Sequence, residues 1–94
     1  MKIIWLPRAV ADLNAQIDYI AADNPKSAID IGDRVIIHVF HLGAHPEMGR
    51  SGRRTGTREL FVPRTPFVVV YRIRNQQLEI LRLLHGAQQW PPPA

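Results

Sequence analysis

Ninety-four residues, 46% apolar and 21% charged, suffice for one small core that buries about 60–65% of the unfolded surface, which excludes a disordered chain. The absence of cysteine excludes disulfides, thiolate zinc sites and a cysteine nucleophile. The net charge of +4 hides a division: residues 1–49 carry four cations against six anions, net −2, and residues 50–94 carry eight arginines against Glu59 and Glu79, net +6. A basic half of this kind selects an acidic partner, either nucleic acid or an acidic protein segment.

In chain order, Lys2 to Leu6 is a short apolar run that predicts a first strand. It is too short for a signal-peptide core or a membrane span, which places the chain in the cytoplasm. Pro7 suits the first turn of a helix. Val10, Leu13, Ile17, Ile20 and Ala21 recur at helical spacing and predict its buried stripe. Asp23-Asn24-Pro25 breaks the pattern; Asn24 can cap a second helix that has Pro25 in its first turn, so the two form a hairpin. This helix is expected from Pro25 to about Leu42, ending at Gly43. Ala28, Gly32, Val35, Val39 and Leu42 make one stripe, with Ile29, Ile36 and Phe40 in a second beside it. So wide an arc predicts contact with both the sheet and the first helix, or a leftover surface for a partner.

Gly43 to Gly56 reads as a loop, Thr57 to Val62 as a strand, and Pro63-Arg64-Thr65-Pro66 as a turn. Phe67 to Ile73 is β-branched and aromatic, which makes it the central strand, and Tyr71 within it reads as core. After the turn Arg74-Asn75-Gln76-Gln77 comes a last strand, Leu78 to His85, and residues 86–94 form an extended, proline-rich tail. The whole is one α+β domain over residues 1–94, of order β-α-α-β-β-β, with a helical hairpin on a mainly antiparallel four-stranded sheet.

The candidate working surface is the run Gly49-Arg50-Ser51-Gly52-Arg53-Arg54-Thr55-Gly56-Thr57-Arg58-Glu59-Leu60. Its planar, always-charged guanidinium groups suit bidentate contact with phosphate or carboxylate. Arg50, Arg53, Arg54 and Arg58 are therefore the expected partner-binding residues, with Arg50, Arg53 and Arg54 read as mobile and Arg53 and Arg54 as replaceable without harm to the fold. Trp90, in a proline-rich tail, reads as an anchor. Glu59 reads as the acidic half of a cross-sheet ion pair, of little energetic value if exposed. His38, His41 and His45 are a poor metal set because Gly43-Ala44 breaks the helical register between them.

Taken together, these residues resemble the RelE/ParE superfamily of toxins from type II toxin–antitoxin modules. The resemblance is carried by Trp5, Ala9, Asp12-Leu13, Ile17, Tyr19-Ile20-Ala21 and Asn24-Pro25. It continues through Pro46, Gly49-Arg50, Gly56-Thr57-Arg58-Glu59-Leu60, Pro66, Val69, Tyr71-Arg72 and Ile80, and ends on residues 84–91, Leu-His-Gly-Ala-Gln-Gln-Trp-Pro. The Gly-Thr-Arg-Glu-Leu segment and the His-Gly-Ala-Gln ending look more like ParE than RelE.

The resemblance implies a growth-arresting toxin, neutralised by an antitoxin encoded beside it. A ParE-like member would inhibit DNA gyrase by binding and would need no cofactor. A RelE-like member would cleave ribosome-bound messenger RNA, with Arg58, Arg72 and Arg82 stabilising phosphate and His85 as acid or base. A third reading is a non-toxic member that only binds the antitoxin. No lysine follows Lys26, and beyond His85 the chain is rich in Gly, Ala, Gln and Pro, which favours the ParE-like reading. His85 then reads as a strand-end residue that holds the tail.

Overall fold

The computed structural model describes residues 1–86 and 88–92. The elements follow the order β1 (Lys2–Trp5), α1 (Pro7–Asp23), α2 (Pro25–Leu42), β2 (Arg50–Ser51), β3 (Arg58–Phe61), β4 (Phe67–Arg74) and β5 (Gln77–His85). They form one sheet of order β1-β5-β4-β3-β2, in which only β1 runs parallel to its neighbour. The α+β architecture agrees with the sequence reading, but the sheet has five strands rather than four. The extra strand is the two-residue β2, inside the stretch that glycine and proline content marks as loop. It exists through pairing with β3, Arg50 opposite Glu59 and Ser51 opposite Arg58, and local propensity does not report such a partner.

The helical hairpin is closed by one residue. Asn24 donates its backbone N–H to the Ile20 carbonyl at the end of α1, and its Oδ1 accepts from Ser27 N at 3.1 Å to open α2. Pro25 then occupies the first turn, where its missing N–H costs nothing. The helices meet closely at Gly32, where a Cβ would lie 3.2 Å from Ile17 Cδ1.

Strand alternation sends Phe67, Val69 and Tyr71 into a core shared with Val35, Val39 and Leu42 of α2, and Leu78, Ile80 and Leu83 of β5. Two details of the predicted stripes are corrected. In α1 the core contact is made by fully buried Ala9, with Leu13 and Ile20, whereas Val10 is 41% exposed. Positions 9 and 10 both lie a helical step from Leu13, so the sequence pattern cannot choose between them. The chain's entry does, through Leu6 N bonded to the Ile80 carbonyl. In α2 the first stripe is buried except for half-buried Gly32, but Ile29, Ile36 and Phe40 are 65%, 48% and 74% exposed. Close approach at Gly32 serves the contact with α1 and leaves the second stripe uncovered.

Tyr71 is fully buried and ties the α2–β2 connection to the sheet. Its hydroxyl donates to the Pro46 carbonyl at 2.6 Å and accepts from Gly49 N at 2.8 Å. A Cβ at Gly49 would sit 2.6 Å from that hydroxyl, so only glycine permits the contact. Burial pushes the phenol above its ordinary value, opposed by the Gly49 hydrogen bond and the Arg58 charge. At the β4–β5 turn both Asn75 (φ 52°) and Gln76 (φ 61°) are left-handed, the geometry of a tight hairpin.

β1 ends at Trp5, so β5 beyond Ile80 has no strand on that edge. Asp12 of α1 takes the vacant place. Its Oδ2 accepts from Leu83 N at 3.0 Å and from Arg82 Nε at 2.7 Å, and Oδ1 accepts from Arg82 Nη2 at 3.2 Å. The side chains of both residues are almost buried, at 14% and 11% exposure. Losing Asp12 leaves the shielded Arg82 charge and the edge N–H of Leu83 without their partner. Asp12→Ala is therefore expected to destabilise the fold by about 3 kcal/mol, and Asp12→Asn, which keeps an acceptor for Leu83, by less. Urea unfolding of the two variants beside the parent checks the ranking.

Candidate functional site

Between β2 and β3 the arginine-rich segment folds into a small closed loop. Gly52 N donates to the Thr57 carbonyl at 2.8 Å, Thr57 N and Oγ1 both donate to the Arg54 carbonyl, and Gly56 takes a φ of +81° that glycine accepts without strain. Within it, Arg53 reaches back to Glu59 while its side chain stays 42% exposed. Its backbone N donates to Glu59 Oε2 at 2.7 Å, its Nε lies 3.1 and 3.2 Å from the two carboxylate oxygens, and its Nη2 lies 3.1 Å from Oε1. Glu59 is only 2% exposed. Burial alone would raise its carboxyl, but the Arg53 hydrogen bonds and the charges of Arg53 and Arg50 outweigh this and hold it below the ordinary value.

The reading of Arg53 as mobile and dispensable to the fold is thus corrected: it neutralises a buried carboxylate, which nothing in its glycine-flanked sequence announces. Arg58 is also engaged. Its Nη1 donates to the Gly49 carbonyl at 2.7 Å and lies 3.4 Å from that of Glu47, holding the preceding loop to the sheet. Arg50 and Arg54 remain exposed.

A second gathering lies on the sheet face turned away from Tyr71. Arg72, next to Tyr71 in β4, points to this side by strand alternation, and its Nε donates to Glu79 Oε1 at 2.6 Å. In β5 the pairing shifts, Tyr71 facing Ile80 and Val70 facing Arg82, so that Leu81 is an extra residue. This bulge places Arg82 on the face of Val70 rather than on that of Ile80. The Arg82 guanidinium carbon lies 5.3 Å from the centre of the Trp90 ring, within cation–π range. Together with Arg8, Arg54 and the Thr55–Thr57 turn, these residues line a cleft of about 400 Å³. The half-buried Trp90 thus rests against the protein; of the predicted tail, Ala87, Pro93 and Ala94 lie outside the described residues.

The structure therefore brings together Arg54, Arg72, Arg82 and Trp90, and does not bring Arg58 or His85 to them. His85 is exposed at the end of β5, edge-on to Phe67 with ring centres 6.2 Å apart, and its backbone N donates to Gln88 Oε1 at 3.3 Å. Arg8 and Asp12 carry no chemical signal in the sequence. A lone cation and a lone acid on a polar helix face give no signal until β5 lies against them. His38 Nδ1 lies 2.7 Å from the Arg34 carbonyl, and among the described residues no three His, Asp or Glu side chains gather as metal ligands.

The chain is thus a helical hairpin on an antiparallel-rich sheet, with a basic cleft and an uncovered apolar stripe on α2. Residues 3–90 match the family described as ParE toxin of type II toxin-antitoxin system, parDE, and the chain belongs to that family. It is 38% identical to Y4kP of Sinorhizobium fredii, over 96% of this chain and 93% of that protein. It is 32% identical to Toxin RelE2 of Caulobacter vibrioides, over 93% of this chain and 97% of that one. A solved structure of a chromosomal ParDE TA system from P. aeruginosa superposes with a TM-score of 0.83 at 28% identity, covering 90% of this chain and 95% of that one. A toxin of this family has a cognate antitoxin as its partner. No helix among the described residues is long and apolar enough to cross a membrane.

The Arg53–Glu59 pair makes acid sensitivity testable. Because the folded-state pKa of Glu59 is lowered from 4.5, its stabilisation is present above that value and lost as pH falls through the folded value. Arg53→Ala should cost about 1–3 kcal/mol at neutral pH, because a buried carboxylate loses its guanidinium donors and keeps only the backbone N–H of residue 53. The gap from the parent should narrow under acid conditions as Glu59 takes up a proton. Glu59→Gln should remove this component of the acid-side slope, as measured by urea unfolding at several pH values.

Proposed function

We propose that this toxin arrests growth by inhibiting DNA gyrase, acting in the cytoplasm by binding rather than by chemistry of its own. One observation carries the reading. The residues a ribonuclease would need are dispersed: Arg58 and His85 lie apart from the cleft, and Arg72 and Arg82 within it are each already held by a carboxylate. The family description and the solved relative both name a ParDE system, which supports the same choice. Arg50, Arg54 and the cleft supply the surface that meets the target.

The antitoxin, in this reading, covers the apolar side. Ile29, Ile36 and Phe40 are exposed on α2, and Ile36, Val39 and Phe40 form a groove with Ile3 and Trp5 of β1. An amphipathic segment that folds on contact would bury this surface.

The alternative, a ribosome-dependent ribonuclease, draws on the presence of Arg72 and Arg82 in one cleft and on the name RelE2 of one relative. The two readings separate directly. Purified toxin should block supercoiling by gyrase and leave ribosome-bound messenger uncut; cut messenger with supercoiling untouched would replace the gyrase reading with the ribonuclease one. Arg54→Ala, which breaks no ion pair, should weaken growth arrest several-fold without loss of fold, and His85→Ala should matter less. Removing everything after Gly86 should lower toxicity through loss of Trp90 and leave antitoxin capture intact. Growth after induction, with co-purification of the antitoxin, measures both effects.

A further inference from the structure

The cleft has a charge imbalance that the fold does not use. Arg72 and Arg82 answer Glu79 and Asp12, but among the described residues no carboxylate pairs with Arg8 or Arg54. Four guanidinium groups against two carboxylates leave the cleft with a net charge of +2. Arg8 also stands in the first turn of α1, which contains no acidic residue and whose N-cap Leu6 makes no side-chain bond. A cation there opposes the helix dipole, so helix stability does not explain its position.

The third feature is Trp90. One side of its ring meets Arg82, and its Nε1–H, shielded from solvent, finds no acceptor among the described residues. A donor left this way costs about 1–3 kcal/mol. The same residue gives the cleft a flat aromatic wall. Its volume of about 400 Å³ falls at the small end of the roughly 300–1,000 Å³ typical of ligand pockets.

We propose that this cleft binds a phosphate monoester dianion, the terminal phosphate of a nucleotide, with Arg8 and Arg54 as its anchoring cations and Trp90 beside the base. A monoester concentrates about −1.5 to −2 charges on one group at neutral pH, which matches a compact site of net +2. A phosphodiester strand carries its charges one per residue and calls for a track of cations, but the exposed Arg64 and Arg74 stand outside the cleft. The bearer of the phosphate is a free nucleotide or the phosphorylated end of a DNA strand. The proposal goes beyond the choice of target and holds whether or not gyrase is inhibited.

Calorimetric titration of the whole chain with AMP, adenosine, and a DNA tetramer with or without a 5′-phosphate tests it. AMP should bind at least tenfold more tightly than adenosine, and the preference should shrink as pH falls below about 6, where the monoester gains a proton. Arg8→Ala/Arg54→Ala should abolish the preference, Arg8→Lys/Arg54→Lys should restore part of it, and Arg64→Ala/Arg74→Ala, with the same loss of charge, should keep it. A phosphorylated tetramer that matches AMP assigns the site to strand ends; AMP binding the tighter assigns it to free nucleotide. Equal binding of AMP and adenosine, an equal loss in both alanine doubles, or displacement of AMP by a tetraglutamate peptide would overturn the proposal. The titrations contain no gyrase, so their outcome is independent of the gyrase reading.

Discussion

The Asp12 carboxylate joins the two halves of this molecule. Helix α1 could lie on the sheet over a range of positions as far as apolar contact is concerned, because hydrophobic burial is not directional. A carboxylate that must accept from both Leu83 N and the Arg82 guanidinium allows far fewer. It pairs the edge of β5 that β1 is too short to reach, and it fixes Arg82 from below. Trp90 rests on that guanidinium, so the wall of the cleft is set by an acid on the first helix. The bulge at Leu81 is the other half of the arrangement, since without it Arg82 would share the core face with Ile80.

A similar economy governs the hairpin that carries the arginines. Glu59 stands in the middle of the short strand β3 with its side chain buried, a costly place for an acid. Arg53 offsets this by turning back across the loop, and in doing so holds the loop closed. Arg58 and Tyr71 then anchor the preceding segment through carbonyls and Gly49 N. Of four arginines close together in sequence, Arg53 and Arg58 are held by bonds within the fold, whereas exposed Arg50 and Arg54 make no ion pair among the described residues. A basic run is therefore not a uniform surface, and its charge at the working face is smaller than its composition suggests.

The same division appears at the level of faces. The apolar side, between β1 and α2, leaves Ile36 and Phe40 exposed beside half-buried Ile3 and Trp5; the basic side lies across the sheet, where Arg72 alternates with Tyr71. The two surfaces differ in chemistry and in place, so in the proposed function the toxin meets an amphipathic partner and an anionic one without a shared contact. Occupying the first need not block the second by overlap, which makes coupling between the two a matter of the partner's reach.

The sequence by itself determined the elements. Apolar spacing marked both helices, Asn24-Pro25 marked the hairpin between them, and the β-branched run Phe67 to Ile73 marked the central strand with Tyr71 in the core. These signals are legible because they arise from contacts within a few residues or from a simple buried-or-exposed alternation. The same locality explains why the tail's Trp90 and the basic loop stood out: composition needs no partner to be seen. Only the tertiary structure decided that Ala9 and not Val10 faces the core, that a second stripe on α2 stays bare, and that β2 exists at all. It also decided which arginines are spent on Glu59 and Asp12 and which are left over. Those outcomes depend on groups up to seventy residues apart in the chain, and on a one-residue bulge that reverses the face of everything beyond it. Each is a pairing between distant groups, and the energy of a pairing belongs to neither residue alone.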